Sequence, residues 1–364
     1  MEPFDNETGA VDKNATVAAT EQISPEVDAV PTRKRRSLNH NVFGYIFSIP
    51  FVVAYAVFHL YPTIYTAILS FTDAMGLAQT KISFLTGSQV LDNYKRILDN
   101  ATFKEGFVNT FLIWIMNFIP QMLLALLLTA WFTRHRNKIR GQGFFKVVFY
   151  MPNIITAASV ALLFNALLGY PVGPLNSIFA GMGFLDKPFD FLDNKIVARI
   201  VVAFIQFWMW YGYTMIILIS GVLGISPEIF ESADVDGASE FKTFIHITLP
   251  NLKPIMLYTL VTSLIGGLTM YDIPVSLTNG KGAPRNATLT NTIFIYNQVF
   301  GGSYSYRTAS AASMLVFLVI IVLSIFVFKI LSDKDEVREK KENKKRMKEF
   351  KRAMKLQQQQ GGAF

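Results

Sequence analysis

The stretch Glu231–Pro250, ESADVDGASEFKTFIHITLP, lies between two long apolar runs of the chain. Its first half is acidic, Asp236-Gly237 interrupts it, and a proline ends it. Charged residues at this density are too costly for a lipid core, so the stretch must lie outside a bilayer if the apolar runs cross one. The residue pattern on both sides of the glycine predicts a helix, a turn and a second helix.

The composition of the whole chain indicates a membrane protein. Of its 364 residues, 51% are hydrophobic and only 16% are charged, and the mean hydropathy is +0.34. In soluble domains, about a quarter of the residues are charged. The absence of cysteine excludes disulfides, thiolate metal sites and cysteine nucleophiles. The net charge of +8 arises from basic residues beside the apolar runs, which indicates membrane topology and no nucleic-acid partner.

Six segments reach the length of about 20 mostly apolar residues that a bilayer-spanning helix requires. In chain order they are Val42–Phe71, Phe107–Phe132, Phe144–Leu168, Ile196–Leu223, Ile255–Leu277 and Thr308–Leu331. The fifth is the weakest, because Gly266-Gly267 and Pro274 interrupt it. We therefore predict an all-α membrane protein with six transmembrane helices.

Lysine and arginine residues near the ends of the spans set the orientation of the chain in the membrane. They cluster before the first span at Arg33–Arg36, between the second and third at Arg134–Arg140, and after the sixth at Asp333–Lys355. Both termini are therefore predicted to be cytoplasmic, in agreement with an even number of spans. The loop that contains Glu231–Pro250 is predicted to face the cytoplasm as well.

This topology divides the chain into three regions. Residues 1–40 are predicted to be a disordered cytoplasmic arm, because they are polar and poor in aromatic residues. Residues 41–332 form the membrane domain, with the cytoplasmic loop at about 226–250. Residues 333–364 are predicted to be a charged cytoplasmic tail in a solvated helix, with binding of nucleic acid or acidic lipid as the alternative.

The cytoplasmic loop has the signals of a well-formed helix start. Ser226 is of a type that caps helices, Pro227 suits the first helical position, and Glu228 suits the positive end of the helix dipole. Helices that lie on lipid usually carry basic residues on their polar face, whereas this one is acidic. An acidic, rigid projection is better suited to a protein partner with a basic groove.

Glu231–Pro250 resembles the EAA loop of ABC importer permeases, which reads EAA, three residues, Gly, nine residues, Ile, one residue and Leu-Pro. Ser232 replaces an alanine of that pattern, and Asp236-Gly237-Ala238 has the form seen in the sugar branch of the family. The matching positions are Glu231, Ala233, Gly237, Ile247, Leu249 and Pro250. Further segments are similar to the maltose-type first permease subunit: Tyr45–Asp73, Asp92–Thr110, Phe149–Leu168 and Ser276–Pro284.

This resemblance implies the type I ABC importer permease fold in a bacterial plasma membrane, and a transport subunit that is not an enzyme. The loop would dock in a cleft of a cytoplasmic ATPase, where Glu231 would pair with a basic residue and Gly237 would permit the tight turn. The coupling residues implied in this way are Glu231, Ser232, Ala233, Asp236, Gly237, Ala238, Phe241, Ile247, Leu249 and Pro250.

The resemblance also implies partners. The chain lacks the phosphate-binding pattern G-x-x-x-x-G-K-[ST], so two separate ATPase subunits would bind ATP and Mg²⁺, and this chain would hold no cofactor and no metal. Six helices make half of the expected pathway, which implies a second permease subunit, most simply in a heterodimer. An extracellular solute-binding protein would deliver the solute.

The spans contain few ionisable residues. His59 and Asp272 stand out, and no buried Lys or Arg is expected to hold an anion. Aromatic, amide and hydroxyl side chains suit the ring faces and hydroxyls of sugars. By similarity to the maltose-type permeases, the substrate path would include Asn153, Thr156, Gln206, Trp210, Tyr271 and Asp272.

Other interpretations stay open for several of these residues. Half of the aromatic residues are equally compatible with packing or with a lipid belt. Asp272 is equally compatible with pairing to the partner subunit. His59 is compatible with a packed group. Gly266-Gly267 indicates either a loosened helix that lines a cavity or close helix packing.

The sequence therefore predicts the transmembrane subunit of an ATP-driven, binding-protein-dependent importer of sugars or oligosaccharides. One alternative is an ABC permease for another neutral solute. The other is a stand-alone ion-coupled carrier or channel, which would leave the cytoplasmic loop unexplained.

Overall fold

The computed structural model describes residues 40–76, 79, 81–134, 139–278, 280, 282–331 and 342–349. The chain forms two compact units, Met1–His59 and Leu60–Phe364. Apart from His40, the predicted N-terminal arm lies outside the described residues, as do Arg33–Arg36 and residues 135–138. Of the predicted C-terminal tail only residues 342–349 are described, and they are helical.

The described residues are helical throughout, apart from connections and one isolated antiparallel bridge between Thr72 and Phe84. The helices are α1 (His40–Tyr55), α2 (Tyr61–Leu69), α3 (Asp92–Asp99), α4 (Ala101–Phe132), α5 (Gln142–Tyr150), α6 (Ala157–Leu167), α7 (Pro174–Gly181), α8 (Lys195–Leu223), α9 (Pro227–Val235), α10 (Glu240–Thr243), α11 (Leu249–Asn251), α12 (Lys253–Leu268), α13 (Asp272–Leu277), α14 (Asn291–Phe300) and α15 (Tyr306–Leu331).

Five helical stretches of the described residues are long and apolar enough to cross a membrane, and a bent pair makes a sixth if it is one span. The five are Gly44–Leu69, Ala101–Phe132, Lys195–Leu223, Lys253–Leu277 and Tyr306–Ile330. The bent pair consists of Gln142–Ile154 and Ala157–Leu167. The prediction of an all-α membrane protein is confirmed, and each predicted span corresponds to one of these stretches.

The first unit contains α1, which continues into a π-helical turn that begins at Ala56. The ring of Tyr55 stacks on Phe51 at 6.4 Å between centroids and on His59 at 5.4 Å. The structure thus stacks His59 on Tyr55, with the histidine exposed, and its role stays open.

The second unit is built on the pair α4 and α8, which run parallel, since Asn109 contacts Arg199 and Gln121 contacts Thr214. Both helices begin at an asparagine whose side chain accepts backbone N–H bonds: Asn100 from Phe103, and Asn194 from Ile196 and Val197. The apolar residues buried around this pair include Ile113, Ala125 and Leu128 of α4, and Val202, Ile205, Met215 and Leu218 of α8.

The third predicted span is not a single straight helix, because α5 and α6 meet at a bend of 88°. Pro152 lies in a 3₁₀ turn after α5, and the backbone is extended at Ile155 and Thr156. Proline cannot donate a helical hydrogen bond, so the helix ends there. A new helix begins because the Thr156 hydroxyl accepts the N–H of Ser159 at 3.3 Å. The expectation of one continuous span over Phe144–Leu168 is therefore wrong at this point.

Gly212 lets the backbone at the end of α5 approach α8. A Cβ atom at position 212 would lie 2.0 Å from the carbonyl oxygen of Phe149. Any side chain would push the two helices apart, since backbone atoms cannot move aside as a flexible side chain can.

Gly212→Ala is therefore expected to lower stability. The added methyl group forces an overpacked interface, which typically costs about 1–3 kcal/mol. The measurement is thermal unfolding of the purified protein in mild detergent. Gly143→Ala is the matched control, because a Cβ atom at position 143 in α5 meets nothing within 4 Å. Equal unfolding temperatures for the two variants would contradict the close approach.

Candidate functional site

A cavity of about 460 Å³ lies between α4, α8, α12 and the segment that joins α12 to α13. Four of the six predicted substrate-path residues line it: Gln206, Trp210, Tyr271 and Asp272. Their contact with a substrate stays a prediction. Within the described residues, no group of three or more His, Asp or Glu side chains is arranged to hold a metal ion.

The other two predicted residues do not line this cavity. The side-chain amide of Asn153 donates a hydrogen bond to the carbonyl oxygen of Met209 at 3.2 Å, which ties the bend after α5 to α8. Thr156 caps α6 and bonds to the Ser159 hydroxyl at 2.9 Å. Both side chains therefore support the bend of the third span, a role that hydropathy does not reveal.

Several polar residues that line the cavity are not among the predicted substrate-path residues. Three lie on α12 at spacings of three and four residues and thus share one helix face, which Gly266 and Gly267 continue. Two lie four residues apart on α4. These residues could have been found from the sequence, because small and polar residues at helical spacing inside an otherwise apolar span indicate a face that lines a cavity. The missed residues are Asn117, Gln121, Thr214, Thr259, Thr262 and Ser263.

Hydrogen bonds between the helices hold the cavity wall in place. Gln121 Nε2 donates to Thr214 Oγ1 at 2.7 Å, and this pair joins α4 to α8. Trp114 Nε1 donates to Ser263 Oγ at 3.2 Å, and this pair joins α4 to α12. Both pairs satisfy polar groups that would otherwise be costly inside an apolar bundle.

The glycine pair does not interrupt α12, which continues to Leu268. A Cβ atom on Gly267 would lie 2.0 Å from Cδ1 of Trp114, whereas one on Gly266 would meet nothing within 4 Å. Close helix packing is thus the correct interpretation for Gly267. Gly266 leaves free space at the wall of the cavity.

The break in the fifth span comes after the glycines, at Thr269–Tyr271, and Pro274 explains it. Proline has no N–H for the carbonyl oxygen four residues earlier, which here belongs to Met270. The hydroxyl of Thr290 donates to that oxygen instead, at 2.9 Å. A broken helix inside a bundle is tolerated when a neighbouring side chain satisfies the freed group. The break turns Tyr271 and Asp272 toward the cavity.

A polar clamp holds the segment from 282 to 290, which follows α13. The amide of Asn109, which is fully buried, donates to the carbonyl oxygens of Asn286 at 2.6 Å and Leu289 at 3.2 Å. Arg199 donates from Nη2 to Asn109 Oδ1 at 2.6 Å and from Nε to the Ala287 carbonyl oxygen at 3.0 Å. Since the segment also carries Thr290, the clamp indirectly holds the break of the fifth span.

Arg199 is a further ionisable residue within the spans, besides His59 and Asp272. It is partly buried on α8, inside the predicted fourth span. Its guanidinium group bonds to a carbonyl oxygen and an amide oxygen, and it is not among the residues that line the cavity. Arg199 therefore has a structural role on α8. None of the described residues that line the cavity is Lys or Arg.

The cytoplasmic loop folds as predicted into a helix, a turn and a second helical segment. Helix α9 ends in a Schellman motif, since Gly237 N–H bonds to Asp234 O at 3.1 Å and Ala238 N–H to Ala233 O at 2.9 Å. Gly237 has φ of +71°, a left-handed conformation that glycine adopts without strain. A glycine is therefore required here by the backbone itself.

The two helix starts of the loop differ from each other. The Ser226 side chain makes no capping hydrogen bond, so the prediction of a cap at this residue is wrong. Ser239 does cap the second segment, by accepting the N–H of Lys242 at 3.4 Å. That segment consists of α10, a π-helical turn at Phe244–Thr248 and α11.

The predicted coupling residues separate into an anchored group and an exposed group. Ala233 is buried beside Phe230, which belongs to the apolar core with Val222 and Leu252. Half-buried positions are Ala238, Ile247 and Leu249. The exposed positions are Glu231, Ser232, Asp236, Gly237, Phe241 and Pro250. The loop is thus fixed at its base and presents an acidic and aromatic surface, with Phe241 75% exposed.

The loop and the cavity share the same helices. Helix α8 runs from the cavity residues Gln206 and Trp210 directly into the loop, and α12 leaves the loop toward Thr259 and Ser263. The loop is therefore continuous with two walls of the cavity.

Comparison with known proteins gives consistent matches over most of the chain. The family model described as "Binding-protein-dependent transport system inner membrane component" matches residues 106–334. The lactose transport system permease protein LacF of Rhizobium radiobacter is 29% identical over 299 residues, which cover 82% of this chain and 97% of LacF. The arabinooligosaccharides transport system permease protein AraP of Bacillus subtilis is 32% identical over 316 residues, which cover 84% of this chain and 95% of AraP.

Solved structures show the same fold. A chain of a bacterial alginate ABC transporter, crystallised in complex with an alginate pentasaccharide-bound periplasmic protein, superposes with a TM-score of 0.65 at 22% identity. The match covers 80% of this chain and 95% of that chain. At this identity the likeness concerns the fold alone.

Arg199→Met is expected to loosen the segment from 282 to 290. The substitution removes both guanidinium hydrogen bonds, and bonds to charged groups contribute about 1.5–3 kcal/mol each. Backbone amides of Ala287 and Thr288 should then exchange hydrogen at least about tenfold faster, as measured by hydrogen–deuterium exchange with mass spectrometry. Lys195→Met, at an exposed residue of the same helix, is the control. Unchanged protection in the Arg199 variant would show that the clamp does not hold the segment.

Proposed function

Because the chain belongs to the family of binding-protein-dependent transport system inner membrane components, we propose that it is a membrane subunit of an ATP-driven importer of sugars or oligosaccharides. The chain is a permease of the inner membrane and not an enzyme. The observation that carries the proposal is the direct connection of an exposed, rigid loop to α8 and α12, which also form walls of a polar cavity. A transporter driven by a separate ATPase needs such a connection, because movement of the ATPase has to reach the cavity that holds the solute.

The chemistry of the cavity supports a saccharide as the solute. Its amide and hydroxyl side chains offer both donors and acceptors, while Trp210 and Tyr271 offer aromatic faces for the apolar side of a sugar ring. The names of LacF and AraP assign a disaccharide and oligosaccharides to those two relatives. Another neutral solute with several hydroxyl groups would suit the same surface and is the alternative.

The proposed cycle begins at the cytoplasmic loop. Glu231–Ala238 docks in a cleft of a separate ATPase subunit, which binds ATP and Mg²⁺. Closure of the ATPase pair turns α8 and α12 and thereby opens the cavity to the outside. A second permease subunit completes the pathway, and a solute-binding protein delivers the saccharide. The family name, which specifies binding-protein dependence, argues against a stand-alone carrier or channel.

The proposal is tested by isolating and reconstituting the complex. The tagged chain is extracted in mild detergent and its companions are identified by mass spectrometry. We expect a second permease and an ATPase with a phosphate-binding loop, and ATP-dependent uptake of saccharide in vesicles when the binding protein is supplied. Isolation of the chain alone, with ATP-independent solute movement, would overturn the proposal.

Glu231→Lys is expected to weaken attachment of the ATPase. The carboxylate is exposed and forms no hydrogen bond or ion pair within the described part of the chain, so its loss leaves this subunit intact. A lysine would instead repel a basic residue of the docking cleft. The amount of ATPase that copurifies should fall about tenfold or more, a loss of at least about 1.4 kcal/mol. Glu228→Lys, an equal charge change at another exposed position of α9, should have a smaller effect.

Gly237→Val is expected to uncouple ATP hydrolysis from uptake. Space is available, since a Cβ atom there meets nothing within 4 Å, but φ of +71° strains a β-branched residue. The turn should open and misalign the second helical segment, while the protein still inserts in the membrane. Gly237→Asn, which tolerates the left-handed conformation better, should retain most coupling. Normal uptake per ATP hydrolysed in the valine variant would contradict the assignment.

A further inference from the structure

Asp272 is the only acidic residue among the described residues that line the cavity. No Lys, Arg or His lines the cavity within the described part of the chain. The Asp272 carboxylate makes no hydrogen bond and no salt bridge with any described residue, and its side chain is exposed. The described part of the chain therefore provides no cation that pairs with it.

An unpaired carboxylate in a membrane domain is unfavourable and calls for a specific role. A structural role as a helix cap would be visible as a hydrogen bond from a backbone N–H at the start of the helix. Asp272 is the first residue of α13, yet its side chain accepts no backbone N–H of that helix. Arg199 forms no salt bridge with it, since that guanidinium group bonds to Asn109 and Ala287.

A carboxylate has two oxygens that only accept hydrogen bonds. Neighbouring hydroxyl groups of a neutral saccharide are suitable donors, and hydrogen bonds to an ionised acceptor are about twice as strong as neutral ones. A second carboxylate in the same cavity would instead be repelled. At a separation of about 8 Å and an effective dielectric constant of about 20, this repulsion corresponds to a factor of about 30 in affinity.

We infer that Asp272 selects the solute by charge, by binding hydroxyl groups of neutral saccharides and excluding saccharides that carry uronate groups. This inference rests on the proposed function, and it names the solute class as neutral. The fold itself does not decide the charge of the solute. The charge of the solute depends on the charged side chains that line the cavity, and here the chain places the carboxylate of Asp272.

The test must measure selection by the membrane subunits apart from selection by the binding protein. The assembled complex of both permeases and the ATPases is therefore titrated in detergent without binding protein, and tryptophan fluorescence reports occupancy near Trp114 and Trp210. One probe is a neutral oligosaccharide that the complex imports. The other is the same oligosaccharide with one C6 hydroxymethyl group oxidised to a carboxylate.

The wild-type complex is expected to bind the neutral probe at least about tenfold more tightly than the uronate probe. Asp272→Asn keeps the size of the side chain and removes the charge, so the ratio should fall to about threefold or less. Asp272→Glu keeps the charge and should preserve the exclusion. An unchanged ratio in the asparagine variant would overturn the inference, as would equal binding of both probes by the wild type.

A third outcome would also overturn it. If Asp272→Asn releases the second permease during copurification, the carboxylate pairs with a cation of that subunit and does not select solutes. The proposed function fails by a different observation, namely the absence of ATP-dependent saccharide uptake by the wild-type complex. Uptake with an unchanged charge ratio would leave the proposed function intact and remove only the role of Asp272.

Discussion

The structure depends on one constraint, which is that every backbone polar group within the lipid core must find a partner inside the protein. Two predicted spans are broken, and a side-chain hydrogen bond joins each break to a neighbouring element. Asn153 ties the bend after α5 to the carbonyl oxygen of Met209. Thr290 takes the carbonyl oxygen of Met270 that Pro274 leaves without its helical donor.

These breaks position the cavity. The irregular backbone at Thr269–Tyr271 brings Tyr271 and Asp272 to the wall of the cavity, which polar residues of α4 also line. Arg199 and Asn109 hold the segment that supplies Thr290, so residues outside the cavity determine its shape. Hydrogen bonds have this role because apolar helices in lipid gain little from mutual burial, which leaves polar contacts and close packing to specify the arrangement.

The structure of the cytoplasmic loop, unlike that of the cavity, depends on contacts between residues close together in the sequence. The turn at Gly237 is closed by hydrogen bonds from Gly237 N–H to Asp234 O and from Ala238 N–H to Ala233 O. Its left-handed conformation is one that glycine adopts without strain. Its anchor, the buried pair Phe230 and Ala233, lies in the same short segment. For this reason the helix, the turn and the second helical segment could be predicted closely, although Ser226 does not act as the cap that its type indicated.

The sequence alone determined the membrane class, the six apolar stretches and the helix–turn–helix form of the loop, because these follow from residue types within short windows. Only the tertiary structure decided that the third span bends, that Pro274 and not Gly266-Gly267 breaks the fifth, and that Asn117 and Gln121 face a cavity. The physical reason is that lipid and protein interior are equally apolar. Hydropathy therefore locates a span, but the face that meets another helix depends on the shape and hydrogen bonds of that neighbour.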